Sequence, residues 1–268
     1  MRRILFILCV VTVVSGLTYA GLLLHYGKIS TNVNLSLSPN WMVWLKFDEG
    51  NGSIAHDSTK HENNFDVDKG NGKVRWISEG CVEGSCIEFN SSPSSGMVYT
   101  TDKINGVFSR KLTIIMWYKP YKEPTNDKAY PFSVNSQVIE LQHTRDNKIM
   151  CKIKNYTSSE IGDVITSGST LMLNKFNLIA CIVDLDNKIT LVVWNTSTLD
   201  ISVKSVTTSL ASFSALSEGR GKCIGIRYSG SNCEQCKNCG IDGIIDSFQI
   251  FNTTLTIDEI WAEIKRIY

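Results

Sequence analysis

Residues 112–119 read LTIIMWYK, an apolar run with side chains suited to both faces of a strand. Such a run belongs in the centre of a sheet that is covered on both sides. Working outward from it, short segments rich in Val, Ile, Phe, Tyr, Trp and Thr recur in both directions. Upstream lie WMVWLKF (41–47), CIEF (86–89) and MVYTT (97–101). Downstream lie SQVIELQH (136–143), KIMCKIKN (148–155), NLIACIVDL (177–185), KITLVVWN (188–195), KCIGIRY (222–228) and GIIDSFQIF (243–251). Asp146-Asn147 and Asp186-Asn187, each followed by Lys, punctuate them as turns. Many short strands with polar turns and no alternating helices predict an all-β, two-sheet antiparallel sandwich.

One segment reads as a helix. Thr256-Ile257-Asp258-Glu259 fits a capping box, and Asp258 and Glu259 in the first turn complement the helix dipole. Ile257, Ile260, Trp261, Ile264 and Ile267 then fall at helical spacing, with Lys265 and Arg266 near the end. The expectation is a short C-terminal amphipathic helix lying against the sandwich.

The N-terminus has a different character. After Arg2 and Arg3, residues 4–24 carry no charged side chain. A helix of that length spans roughly 31 Å, which matches the hydrocarbon core of a bilayer. The basic pair ahead of it predicts a cytoplasmic N-terminus and an extracellular remainder. A cleaved signal peptide, with Thr18-Tyr19-Ala20 as the cleavage site and a secreted product, is the alternative. The expected organisation is therefore an anchor or signal over 1–27, a polar stalk over 28–40 and a single domain over 41–268. Without the leading segment roughly 230 residues remain, enough for one large all-β core.

Formal net charge is +1, so no charge excess points to nucleic acid. Apart from Cys9 in the apolar segment, the cysteines are Cys81, Cys86, Cys151, Cys181, Cys223, Cys233, Cys236 and Cys239. An even set in an exported domain predicts disulfides. Cys81 and Cys86 flank a tight turn and are expected to bridge it. Cys151 and Cys181 lie in two consecutive strands of opposite direction and are expected to bridge those. Cys223, Cys233, Cys236 and Cys239 are expected to staple a loop, with a tetrahedral zinc site as the alternative use of four thiols. The sequons at Asn34, Asn51, Asn90, Asn155, Asn195 and Asn252 are candidate glycosylation sites.

Two distant segments carry a resemblance. One is Trp44-Leu45-Lys46-Phe47-Asp48-Glu49-Gly50-Asn51-Gly52, followed by Ala55-His56-Asp57-Ser58. The other is Asp242-Gly243-Ile244-Ile245-Asp246-Ser247-Phe248-Gln249-Ile250-Phe251-Asn252, followed by Leu255-Thr256 and Asp258-Glu259-Ile260. Together they resemble the opening and closing signatures of laminin G-like, concanavalin A-like jelly-roll domains, the group that includes pentraxins. Between them, Gly80-Cys81-Val82-Glu83-Gly84-Ser85-Cys86-Ile87-Glu88-Phe89 is similar to that family's glycine-bracketed hairpin. Leu112 to Pro120 is similar to its central strand. The resemblance spans about 41–262 and implies that the first and last strands lie side by side. Ser247, His61-Glu62-Asn63-Asn64 and the cysteine-rich stretch 229–239 depart from the family pattern.

The same resemblance implies candidate sites. Asp48, Asp57 and Asp246 stand at acidic positions of the signatures and could share Ca²⁺, which takes six to eight oxygen ligands; capping of turns is the other use of Asp57 and Asp246. Trp76 and Tyr228, near loops, are candidates for stacking on a ligand. Glycosidases of this fold carry an E-x-D-x-E strand, and this sequence has none. No histidine sits in a nucleophile pattern. The expectation is a non-catalytic, membrane-anchored module that binds a glycan or a surface protein. A structural envelope subunit and a glycoside hydrolase of the same fold are the alternatives.

Overall fold

Alternation of apolar and polar side chains along successive strands builds two sheets with their apolar faces together. The structure, a computed structural model, describes residues 40–68, 73–90, 96–100, 102, 104, 110–134, 139–156, 161–166, 168–207, 221–226, 228–229, 234–235 and 239–267. The first sheet has eight strands: β1 (Trp41–Leu45), β4 (Val74–Ile77), β5 (Cys86–Phe89), β7 (Lys111–Pro120), β13 (Asn177–Asp184), β14 (Lys188–Asn195), β15 (Ile201–Thr207) and β19 (Gly243–Phe251). Its order is β15-β14-β13-β7-β19-β5-β4, with β1 also pairing β19. The second sheet has nine: β2 (Ile54–Ala55), β3 (Phe65–Asp68), β6 (Met97–Thr100), β8 (Lys128–Val134), β9 (Ile139–Thr144), β10 (Lys148–Tyr156), β11 (Ile161–Ile165), β12 (Ser169–Thr170) and β16 (Lys222–Ile224). It runs β11-β10-β9-β8-β16-β6-β3-β2, with β12 on β10. β17 (Tyr228–Ser229) and β18 (Glu234–Gln235) form a separate ribbon.

The anticipated central strand is β7, flanked by β13 and β19 and buried along nearly its whole length. The first and last strands pair antiparallel, with Trp44 opposite Gln249 and Leu45 opposite Phe248. Phe47, Phe65, Phe89, Phe132 and Phe248 fill the space between the sheets. Cys151 of β10 is joined to Cys181 of β13, so this disulfide ties one sheet to the other rather than linking two neighbours within a sheet.

Helix α1 (Ile257–Ile267) follows the expected capping box. The Glu259 amide donates to Thr256 Oγ1, and the Thr256 amide donates back to the Glu259 carboxylate at 2.6 Å. Ile260 and Ile264 are buried, and Trp261 meets Trp194 edge to face, which in turn meets Trp117 of β7. The helix therefore covers the outer face of the first sheet. The outer face of the second sheet has no such helix among the described residues.

The expected apolar anchor at 4–24, the stalk up to residue 39, Asn34, Cys233 and Cys236 lie outside the described residues. Among the described residues no helix is long and apolar enough to cross a membrane.

Candidate functional site

The two signature segments meet at the hairpin that Cys81 and Cys86 close with a disulfide. Between Asp246 and Phe248 the β19–β7 register slips by one residue, and Ser247 sits at φ 53°. This bulge re-aims the strand. Asp246 Oδ2 accepts the backbone amides of Val82 at 2.6 Å and Glu83 at 3.2 Å, and Ser247 Oγ accepts from the Trp44 indole. Asp48, just past β1, accepts the Ser85 amide from the same hairpin. Gly84 makes that approach possible: its φ is +54°, and a Cβ there would lie 1.9 Å from Asp48 Oδ1. Burial pushes the Asp246 carboxyl up to about 7; the two amide bonds oppose the rise, and the charge on Asp48 adds to it.

Asp57 belongs to a different arrangement. Its carboxylate accepts the amides of Trp44, Thr59 and Asn63 and the Thr59 hydroxyl, at 2.7–3.0 Å. All its oxygens are thus occupied in capping a turn. The structure brings Asp48 and Asp246 to one hairpin and leaves Asp57 apart. Among the described residues, the acidic, histidine and cysteine side chains close enough together to hold an ion are Cys81, Cys86 and Asp246, and the two cysteines are spent in a disulfide. This donor set does not fit Ca²⁺, which needs six to eight oxygens. Hydrogen bonds occupy both carboxylate oxygens of Asp57, and backbone amides occupy Oδ1 of Asp48 and Oδ2 of Asp246.

The larger feature lies on the outer face of the second sheet. Ile139 and Leu141 of β9 point into the core, so Glu140 and Gln142 between and beyond them point outward. Beside them stand Lys128 of β8 and Lys152 of β10, the latter directly opposite Glu140 in the ladder. These side chains, with Tyr130 and the segment Thr125 to Asp127, line an open groove of about 580 Å³ that Arg145 and Cys239 also border. Its floor is a chain of polar contacts. Lys128 Nζ donates to Gln142 Oε1 at 2.9 Å, Gln142 Nε2 donates to Glu140 Oε2 at 2.6 Å, and Lys152 Nζ lies 3.6 Å from that oxygen. Glu140 and Gln142 are fully buried and Lys152 is 7 % exposed. Burying a charge is costly unless it is paired and hydrogen-bonded, and here it is both.

Cys239, at the end of the cysteine-rich stretch, borders this groove. The Tyr130 amide donates to the Cys239 carbonyl, and Ser133 Oγ donates to the Ile226 carbonyl. Cys223 and Cys239 are each disulfide-bonded, so these two do not serve as zinc thiolates. The other anticipated residues are scattered. Trp76 is half-buried, packs on Phe47 and donates its indole N–H to the Gly52 carbonyl. Tyr228 lies in β17, and its side chain is outside the described residues. Asn51 and Asn90 are exposed, and Asn252 is partly so. Asn155 lies in β10 with its side chain outside the described set. Asn195 is 7 % exposed; its amide N–H donates to Asn177, and its carbonyl accepts the amides of Ser197 and Thr198. In the fold Asn195 caps a turn.

Sequence reasoning did not single out Glu140, Gln142, Lys128 or Lys152. A signal was present in SQVIELQH, where polar Glu140 and Gln142 alternate with apolar residues in a strand. Lys128 sits in KAYPFSV, where Pro131 argues against a strand.

Two antiparallel sheets, a helix on one outer face and a polar groove on the other define a lectin-like jelly-roll domain. The chain belongs to the concanavalin A-like lectin/glucanases superfamily, whose laminin G-type member matches residues 92–261. Comparison with curated protein sequences finds no significant match. Among solved structures, the chain is similar to the binding domain of botulinum neurotoxin DC in complex with SialylT, with a TM-score of 0.60 and 11% identity over 87% of this chain and 53% of that one. It is similar to the same binding domain in complex with rat synaptotagmin II, with a TM-score of 0.61 and 10% identity over 87% and 53%. The serotype G binding domain gives 0.58 and 15% over 84% and 50%. The chain thus spans about half the length of these structures. At such identities the likeness is one of fold.

Proposed function

We propose that this chain is a non-catalytic recognition module that binds a glycan in the groove on its second sheet, held at a membrane with the sandwich facing outward. The observation that carries the reading is the open polar groove itself, bordered by the exposed Thr125, Asn126, Asp127 and Arg145 and the half-buried Lys128, the kind of surface that hydroxyl-rich ligands need. The buried chain of Gln142, Glu140 and Lys152 beneath it holds Lys128 in place. The neighbouring toxin domains, solved with SialylT and with synaptotagmin, are compatible with glycan or protein as ligand.

The floor also argues against hydrolysis. A retaining glycosidase needs two carboxyls about 5–5.5 Å apart. The position two residues after Glu140 on the same face is Gln142, an amide that is neither nucleophile nor acid. The groove's other carboxylate, Asp127, is exposed on the rim. The test is a glycan array, then an assay for released reducing sugar on every bound glycan. Binding without sugar release is expected; release would establish a glycosidase.

One observation favours a structural subunit as a second reading. Among the described residues strand β15 is an unpaired edge of the first sheet; Ile201 and Val203 in it are 37% and 47% exposed, and Leu199 just before it 67%. Exposed edges template strand pairing. Concentration-dependent assembly in sedimentation velocity, abolished by Val203→Lys, would support it.

A further inference from the structure

The charges of the groove are not distributed evenly. On the floor, Glu140 and Lys152 offset one another. At one end the situation is different. Lys128 stands opposite Thr144 in the β8–β9 ladder, and the next residue, Arg145, donates its backbone amide to the Asp127 carbonyl. The ladder therefore delivers an ammonium and a guanidinium to the same end of the groove, and both line it. The acid next in sequence does not neutralise Arg145: Asp146 is taken by Lys148 and by the Thr144 hydroxyl. Among the described residues the Arg145 guanidinium makes no ion pair and no hydrogen bond. Lys128 gives one bond to Gln142, and an ammonium has three protons to give. Asp127 is the one carboxylate at this end, exposed, so two cations face one anion.

We propose that the groove prefers saccharides bearing an anionic group, which docks on Arg145 and Lys128 while the neutral part of the sugar lies along the exposed Thr125–Asp127 border. The inference rests on the glycan reading above and specifies its ligand class. A guanidinium fork matches a carboxylate in two parallel hydrogen bonds, and an ammonium adds a point charge that serves carboxylate or sulfate alike. The buried floor keeps this end rigid, so little ordering entropy is lost when the anion arrives.

The experiment uses the full chain in detergent on a panel of neutral glycans, each printed beside counterparts capped with a carboxylate sugar or a sulfate ester. The best matched pair is then titrated at low ionic strength. Acid-bearing members are expected to bind at least about tenfold tighter than their neutral partners, the scale of a charge-assisted hydrogen-bond pair. Added salt should shrink that ratio, and Arg145→Gln with Lys128→Gln should bring it close to one. Preference for carboxylate over sulfate would assign the main role to the Arg145 fork; equal binding would assign it to charge alone. A ratio near one in the unaltered protein overturns the inference while leaving the glycan reading intact. So does a ratio that survives both substitutions. Binding of an acidic peptide such as poly-glutamate with no glycan on the panel bound would overturn both.

Discussion

Asp246 shows how far one residue's role departs from its apparent meaning. In the sequence it is an acid at a signature position, suited to a metal. In the fold it is a buried acceptor for two amides that lie 164 and 163 residues away in sequence. Nothing local in GIIDSFQIF identifies those partners, and the bulge at Ser247 that aims the side chain arises only when β19 pairs with β7. Its carboxyl, raised to about 7 by burial, gives stability a pH dependence of a particular sign. Because the folded pKa lies above the ordinary 3.8, the protonated form favours folding. This contribution is complete below that ordinary value and is lost as pH rises toward 7. Asp246→Asn keeps an acceptor oxygen and removes the charge. The melting temperature of the variant minus that of the parent should be more positive at a pH of about 8 than at about 5. A difference that does not change with pH would show that the carboxyl is not strained by burial. Because Asp57 is already saturated with hydrogen bonds, chelator should leave the melting curve unchanged; recovery of several degrees on adding Ca²⁺ after EDTA would restore the calcium expectation.

Elements were more legible than sites, and the reason is periodicity. Runs such as NLIACIVDL and KITLVVWN became β13 and β14 nearly residue for residue, because buried strands need apolar side chains that few other structures tolerate. The strands that escaped have polar or broken patterns. ISVKSVT became the exposed edge β15, and KAYPFSV became β8 with a register shift spanning Pro131. The helix was legible through its cap. Thr256→Ala should therefore destabilise the domain by about 0.5–2 kcal/mol, measured by urea unfolding, since it leaves the Glu259 amide without its acceptor. A change within error would mean that packing of Ile260 and Ile264 alone holds the helix. The disulfide between β10 and β13 acts across elements. Replacing Cys151 and Cys181 together by Ala should cost about 2–5 kcal/mol, because the bridge joins positions 30 residues apart in opposite sheets. The same unfolding curves would read this effect, and an unchanged midpoint would contradict it.

At the scale of the whole molecule, the two outer faces divide the work. The first is closed by α1, whose Trp261 packs on Trp194 and through it on Trp117, while among the described residues the second carries the groove. That surface can serve as a receptor only if it faces outward. Two features bear on this independently. The apolar residues 4–24 behind Arg2 and Arg3 match a bilayer in length, and the basic pair ahead of them is the pattern on which the proposed outward placement of the sandwich rests. Cys81, Cys86, Cys151, Cys181, Cys223 and Cys239 are all disulfide-bonded, a state that oxidising compartments maintain and the cytosol does not. Protease added to intact expressing cells should therefore digest the sandwich while the N-terminal fragment stays in the membrane fraction. An impermeant thiol reagent should label the cysteines only after reduction. Release of a soluble chain beginning at Gly21 would convert the anchor into a cleaved signal without moving the groove. Full protection from protease, together with free thiols, would place the domain on the wrong side of the membrane for recognition and remove the basis of the proposed function.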